Sequence, residues 1–409
     1  MNTRKRAIIL PINRLYSLRS ALSTEINPNP FMHTGNHFLG RILFFILMIC
    51  LNTSVTRAQF RKYSNEFLNI GAGARALAMG GAQIASVNDA TAGYWNPSGL
   101  ARVNARPTFS LMHAEYFAGI GKYDFASFAT PLGNGENHKR TIGFSLIRFA
   151  VDDIPNTLFL VEPDGTINYN NIRSFSSADY AFLLSYAQKL IDEEDRFLSI
   201  GFNAKVIHRS VGSFAKAWGF GLDGGVMYQT ANLKAAVMAK DITTTFNAWM
   251  FNFTDEEKEI LYLTKNDIPV KSVEMTAPRL VVGLSYTGAI TEKLSLSGEM
   301  NAELTFDGKR NVLLRSNVLN ADPRVGMELG YRDLLFGRLG IYNFQQAIKD
   351  GDPANAKVWI YQPGLGVGFK FKNLVIDYAF TNLANQSNPL YTHIFSLRMD
   401  LTNPPKKNK

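Results

Sequence analysis

The sequence predicts an all-β protein: a transmembrane antiparallel β-barrel of roughly 14 strands, with a short N-terminal plug segment. Three observations predict it. Apolar and polar residues alternate with period 2 along most of the chain after Pro107. The 409 residues include 29 Phe, 16 Tyr and 32 Gly, a composition that favours strands and tight turns. The chain opens on an export signal, and no later stretch is a continuous apolar run of membrane-helix length.

The alternation carries most of the weight. Residues 294–304, LSLSGEMNAEL, place Leu294, Leu296, Met300, Ala302 and Leu304 on one face and Ser295, Ser297, Glu299, Asn301 and Glu303 on the other. Leu365, Val367, Phe369 and Phe371 oppose Gly366, Gly368 and Lys370. A tight turn at Lys372 and Asn373 leads to Leu374, Ile376, Tyr378 and Phe380, which oppose Val375, Asp377 and Ala379. The last segment sets His393, Phe395, Leu397, Met399 and Leu401 against Ile394, Ser396, Arg398 and Asp400. The same pattern marks residues 198–206, 220–228, 233–239, 280–286 and 325–331. Period 2 means strands with one greasy and one polar face. A soluble sandwich turns the greasy face inward, whereas a membrane barrel turns it to lipid, and alternation alone does not separate the two. Segments of about 8–12 residues suit a tilted crossing of the hydrocarbon layer. The polar face has the Gly, Ser, Asn, Glu, Lys and Asp of a lumen. Tyr186, Tyr228, Tyr286, Tyr331, Tyr342 and Tyr378 recur near strand ends, where interfacial girdles lie.

The N-terminus reads as a leader. Arg41 precedes the apolar run RILFFILMIC, and Thr56-Arg57-Ala58 supplies a small-residue exit, the pattern of a secretory signal peptide cleaved after Ala58. Met32 stands a typical n-region length before the run, so residues 1–31 are either an over-extended start or a long leader. A lipoprotein route through the single cysteine, Cys50, is disfavoured by the bulky Ile49 before it. The exported part then has no cysteine, which excludes disulfides and Cys-ligated metals there. The formal charge of +9 also shrinks: residues 1–58 hold seven Lys/Arg against one Glu, so the remainder carries +3, which is no nucleic-acid footprint.

Residues 67–83, FLNIGAGARALAMGGAQ, nearly match the G-x-G-x-x-G/A fingerprint of dinucleotide folds, with Asp89 at about the place of a ribose-binding acid. That reading fails on context. The helical stretch runs only from about Ala74 to Met79 before Gly80 and Gly81 interrupt it, and no crossover helix follows. No G-x-S-x-G, P-loop or H-E-x-x-H occurs. His113, His138, His208 and His393 are scattered without ligand spacing, and the acidic stretches 192–195 and 255–257 read as solvated turns. No enzyme activity, metal or cofactor is expected. Connections differ in length, with tight turns near 229–232 and 372–373 and long loops at 150–174 and 243–278, a barrel habit. Within the second, Thr254 is placed to cap a short helix begun by Asp255 and Glu256.

A wider stretch than the fingerprint is informative. Residues 66–101, EFLNIGAGARALAMGGAQIASVNDATAGYWNPSGLA, resemble the N-terminal signature of the PorV/PorQ family of Bacteroidetes-type outer-membrane proteins, which are related in architecture to FadL-like barrels. The matching positions are Phe67, Leu68, Gly71, Gly73, Ala74, Arg75, Met79, Gly80, Gly81, Ala82, Asp89, Ala90, Tyr94, Trp95, Asn96 and Pro97. The resemblance implies a barrel whose N-terminal segment sits in the lumen, and a part in type IX secretion as carrier or docking site for secreted substrates. Gly81, where shuttle members carry an acidic residue, and Ser98-Gly99-Leu100 after the Asn-Pro point to a paralogue. The basic tail NPPKKNK after Leu401 departs from barrels that end on an aromatic residue.

The expected organisation is therefore leader and signal 1–58, plug segment 59–105, outer-membrane barrel 106–401 and basic tail 402–409. The leading functional expectation is a non-enzymatic integral barrel of the bacterial outer membrane. It would be bathed in outer-membrane lipid, bind secretion-system proteins or secreted cargo through its long loops, and bind no nucleic acid. Its plug motif is Gly71, Gly73, Arg75, Gly80, Gly81, Asp89, Tyr94, Trp95, Asn96 and Pro97. The alternative is a FadL-like transporter with a hydrophobic ligand in the lumen. A third reading is a soluble periplasmic β-protein. An aromatic-lined pocket beside Tyr94 and Trp95 favours transport, and a lumen filled with polar side chains weighs against it.

Overall fold

A computed structural model describes residues 64–401 except 104–105, 134–137, 163, 269–270, 350–354 and 383–390. The predicted leader, the first five residues of the predicted plug and the basic tail 402–409 lie outside the described residues.

Sixteen strands lie among the described residues: β1 (Thr108–Tyr116), β2 (Gly121–Leu132), β3 (Arg140–Asn156), β4 (Arg173–Asp192), β5 (Arg196–Val211), β6 (Ala215–Thr230), β7 (Leu233–Lys240), β8 (Thr245–Phe251), β9 (Lys271–Thr276), β10 (Arg279–Ala289), β11 (Leu294–Thr305), β12 (Asn320–Tyr331), β13 (Leu335–Ile348), β14 (Lys357–Phe371), β15 (Leu374–Thr381) and β16 (Thr392–Asp400). All pairings are antiparallel, and the sheet closes because β1 pairs with β16 and β5 with β6. The ring has fourteen positions, as expected. β8 and β7 lie end to end along β6, and β9 and β10 lie end to end along the next position. The interruption is at 241–244 and 277–278, where Asp241 and Thr244 both take φ of 57°.

This corrects the reading of 243–278 as one long loop. Two strands extend the wall there, and only 252–270 connects them. The short helix expected inside it is present as Asp255–Leu263, with the predicted Thr254 cap completed into a capping box by Glu257. The other long connection also shrinks, because β3 runs on to Asn156. The same end of the barrel also carries two tight turns, at 117–120 between β1 and β2 and at 212–214 between β5 and β6.

Burial decides between sandwich and membrane barrel. In β11, Glu299 and Asn301 are 3% and 1% exposed, while Met300 between them is 59% exposed. Leu111, Phe144, Leu184, Leu284, Leu339, Val367 and Phe395 likewise stand on the outer face, whereas Ser127, Ser145, Asn203, Asp223 and Asp377 are buried within. An apolar exterior around a polar interior is the membrane arrangement. The girdle expectation holds for Tyr228, Tyr286 and Tyr331, which face outward near the short-turn end. Nearer the long-loop end, Tyr180, His208 and Trp218 stack outward across β4, β5 and β6. Tyr342 is a correction: its ring lies against Gly80 inside the barrel. Parity explains it, since Leu335, Leu339 and Ile341 occupy the outward face of β13 and position 342 must point inward.

The hydrophobic core lies between the wall and the chain that precedes it. Phe67, Leu77, Ile84, Val87, Trp95 and Leu100 pack against inward-facing Met112, Tyr123, Phe125, Ile147, Leu183 and Met238. The 64–103 segment is thus a plug inside the lumen, as the resemblance implied. Replacing the outward Met300 near mid-strand by Arg should destabilise the barrel by about 2–4 kcal/mol, the cost of a cation at the bilayer midplane. Chemical unfolding of the barrel from lipid vesicles measures this directly.

Candidate functional site: a pinned plug beneath a vestibule

The plug is built from short pieces: 3-10 turns at Glu66–Asn69 and Pro97–Arg102, helix α1 at Ala74–Ala78 and helix α2 at Ala92–Trp95. Helix α1 stops where predicted. Gly80 N–H donates to the Leu77 carbonyl at 3.1 Å and Gly81 N–H to that of Ala76 at 2.8 Å, with both glycines at positive φ (67° and 78°). These are the two bonds of a Schellman cap. The ribose-acid reading of Asp89 has no counterpart, because its carboxylate is spent inside the plug and on the wall.

The Tyr-Trp-Asn-Pro element is a clasp within the plug. Tyr94 Oη donates to the Leu68 carbonyl and Trp95 Nε1 to that of Ala72, each at 2.7 Å. Asn96 Nδ2 donates to the Ile84 carbonyl at 3.1 Å, while its Oδ1 accepts from the Ser98 hydroxyl and amide. Pro97 then starts the next turn, where its missing N–H costs nothing. These residues therefore tie the glycine-rich half of the plug, which contains Gly71 and Gly73, to its second half. Burial pushes the Tyr94 phenol above its ordinary pKa.

Arg75 and Asp89 fasten the plug to the wall. Arg75 makes a two-pronged contact with Glu328 of β12, at 2.9 and 3.1 Å. Glu328 also accepts from Arg338 of β13 at 2.6 Å, and Arg338 reaches Asp377 of β15 at 2.7 Å. Asp89 accepts from Arg398 of β16 at 2.5 Å and from the Thr91 amide at 2.8 Å. Burial alone would raise the Asp89 carboxyl, but the Arg398 guanidinium and the Thr91 donors outweigh it and hold the group below the ordinary carboxylate range. Glu299 of β11 accepts from the Ala85 and Ser86 amides at 2.8 and 2.9 Å, and Asn203 of β5 donates to the Gly93 carbonyl at 2.7 Å. The attachments thus run round much of the ring. All ten predicted motif residues fall within this one segment. Their wall partners were visible in the sequence only as polar positions on inward strand faces.

Close approach completes the fit. A Cβ at Gly340 would sit 2.1 Å from the Met79 carbonyl carbon, and one at Gly201 would sit 2.3 Å from that of Pro97. A second charged group surrounds the strand interruption. Lys205 contacts Asp223 and Asp241 at 2.7 and 2.5 Å, and Arg279 contacts Asp241 and Glu303 at 3.2 and 2.9 Å. Arg279 also donates to Asn69 of the plug at 2.8 Å.

Space remains above and below the plug. At the long-loop end a vestibule of about 520 Å³ is lined by Ile70, Leu77, Gly80, Gly81 and Trp95 of the plug and by Tyr116, Phe117 and Tyr342. Its charged rim balances Arg279, Arg310 and Arg324 against Glu66, Glu303 and Asp322. Among the described residues, two cavities beside the plug hold only about 20 and 30 Å³, room for a water or so each. The short-turn end opens on a charged hollow of about 910 Å³ around Arg102, Arg106, Asp192 and Arg196. No cluster of metal-ligating residues occurs among the described residues.

No protein-family model and no curated protein sequence matches this chain. Solved structures similar to it include the Ralstonia pickettii toluene transporter TbuX, at 13% identity, TM-score 0.49, and 81% and 99% of the two chains covered. The Pseudomonas putida toluene transporter TodX aligns at 13%, 0.49, and 81% and 98%. A Pseudomonas aeruginosa FadL homologue aligns at 12%, 0.43, and 80% and 97%. Likeness at this level carries no argument about what this chain does, which rests on the site itself.

Removing one partner of a buried ion pair strands the other. Arg75→Gln leaves Glu328 with Arg338 as its remaining partner, so the cost should fall below that of a stranded charge, to about 1–3 kcal/mol. The expected readout is loss of the compact, heat-modifiable gel band at a lower temperature than for the wild-type barrel.

Proposed function

We propose that this chain is a non-enzymatic outer-membrane barrel that receives a hydrophobic small molecule at its long-loop mouth, with the plug as the gate. The observation that carries the reading is the vestibule beside Trp95. Its floor is plug, Tyr116, Phe117 and Tyr342 give its wall an aromatic patch among amide side chains such as Asn311, Asn343, Gln345 and Gln362, and three cations face three carboxylates on its lining. Such a lining favours an apolar or weakly polar guest over a strongly charged one. The cavities beside the plug, at about 20 and 30 Å³, are too small for such a guest, so transfer requires the plug to shift. A guest against Leu77, Gly80 and Gly81 touches the helix that carries Arg75, which couples occupancy of the vestibule to the main wall attachment. Toluene-type hydrocarbons, the cargo named for the similar solved structures, are of the right size and polarity to serve as probes.

The test is binding of bromotoluene, with toluene as the competitor, to the barrel reconstituted in vesicles, read by quenching of Trp95 in a variant whose other three tryptophans are Phe. Quenching that saturates and is weakened about tenfold by Leu77→Asp, a change of roughly 1.4 kcal/mol, supports the reading. Unsaturable quenching, or quenching indifferent to Leu77→Asp, contradicts it.

A second reading is favoured by a separate observation. The 66–101 motif resembles the PorV/PorQ signature, and the loop helix Asp255–Leu263 exposes Tyr262 and Leu263, as expected of a contact for type IX secretion proteins or cargo. Affinity purification from native membranes discriminates: secretion proteins lost on deleting residues 254–264 support docking.

A further inference from the structure

Three features of the short-turn end belong neither to the plug attachments nor to the vestibule. The charged hollow beneath the plug is open and holds about 910 Å³. The β4–β5 turn on one side of it runs Asp192, Glu193, Glu194, Asp195, four acids in a row. Residues 402–409, TNPPKKNK, carry three lysines and no acid.

The four acids differ in what they hold. Asp192 takes Lys189 at 3.0 Å, and Glu193 takes Arg196 at 2.7 Å. Glu194 and Asp195 are exposed and have no ion-pair partner among the described residues. Most cations of the hollow stand elsewhere. Lys370 and Lys372 flank the β14–β15 turn, where Lys370 pairs with Asp333. Arg102 hangs from the plug, its guanidinium 4.9 Å over the Phe197 ring and bonded to Gln229.

The tail starts at the rim of this hollow. Asp400 lines it, Asn373 Nδ2 donates to the Asp400 carbonyl at 2.6 Å, and the Leu401 amide donates to the Pro107 carbonyl at 2.8 Å. β16 and β4 are four places apart round the ring. In a ring of fourteen strands tilted by about 40°, that is roughly 22 Å in a straight line. Pro404 and Pro405 favour an extended arm. From Leu401 to Lys407 such an arm covers about 19 Å, and a lysine stem adds roughly 6 Å.

We infer that residues 402–409 dock back on their own barrel. The arm crosses the hollow beneath the last turn of the plug, and Lys406, Lys407 and Lys409 pair with the acidic β4–β5 turn, Glu194 and Asp195 first. Reach favours this occupant, because the acids lie at the distance of the lysines. Charge sets the direction: Lys370 and Lys372 repel the arm from the β14–β15 side, and the acids across the hollow attract it. A single exposed pair of this kind contributes little, but the tether keeps three ammoniums at high effective concentration beside the acidic turn.

The experiment places p-benzoylphenylalanine at Asn408 of the full-length barrel, which reports what the arm touches without altering a charge. Membranes that carry it are irradiated, and adducts are located by mass spectrometry. The expected result is an intramolecular adduct within residues 190–198, more abundant than any other. Its yield should fall about fivefold in Lys406→Gln/Lys407→Gln/Lys409→Gln, in Glu194→Gln/Asp195→Asn, and in the unaltered arm at about 1 M salt. Neither variant touches a strand or the plug, so the heat-modifiable gel band should match that of the wild type. An adduct chiefly to lipid or to another protein, adducts spread evenly over the short turns, or a 190–198 adduct indifferent to both charge changes would overturn the inference.

Discussion

A ring of fourteen strands encloses more space than its own inward side chains fill. Everything else in this protein follows from that constraint. An empty lumen would forfeit contacts along its whole lining and leave inward Glu299, Glu328, Arg338, Asp377 and Arg398 without a complete set of partners. The chain solves both problems with its own N-terminal segment. Alanine and glycine let the plug backbone come within a few ångströms of the wall, and Arg75 and Asp89 complete the charge pairing of β12, β13, β15 and β16. The same residues that resemble a nucleotide cradle in the linear sequence thus serve a packing role, because small side chains permit close backbone approach whatever is approached.

Attachment through paired charges has a consequence for function. Apolar contact alone would hold a plug without specifying its position, whereas a two-pronged guanidinium–carboxylate contact fixes helix α1 against one place on the wall. That helix is also the floor of the vestibule. Under the proposed function, a guest above it and the ion pair beside it would act on the same short element. The strand interruption at 241–244 adds a second attachment, through Arg279 and Asn69, at the other end of the glycine-rich stretch.

How much of this was legible in the sequence differs by level. Strand faces were readable because period-2 alternation is local: Glu299, Asn301 and Glu303 were placed opposite Met300 without any knowledge of partners. The Gly80-Gly81 helix stop and the Thr254 cap were readable for the same reason, since each rests on neighbours in the chain. Tyr342 was misplaced because an aromatic near a strand end suggests a girdle, yet only the parity of its own strand decides its face. The reading of 243–278 as a loop failed because β8 and β9 are short and interrupted, so neither shows enough alternation to stand out. What no local pattern contains is the pairing of Arg75 with Glu328 or of Asp89 with Arg398, separated by hundreds of residues. Those contacts exist only once the barrel has closed around the plug.

The central claim is that charge pairing holds the plug seated and the lumen closed. Ion conductance of the barrel in a planar lipid bilayer tests it most directly. Negligible conductance is expected for the wild type, and discrete, recurring openings for the Arg75→Gln/Asp89→Asn double variant. A wild-type barrel that conducts steadily, or a double variant that folds and stays as closed as the wild type, would contradict it.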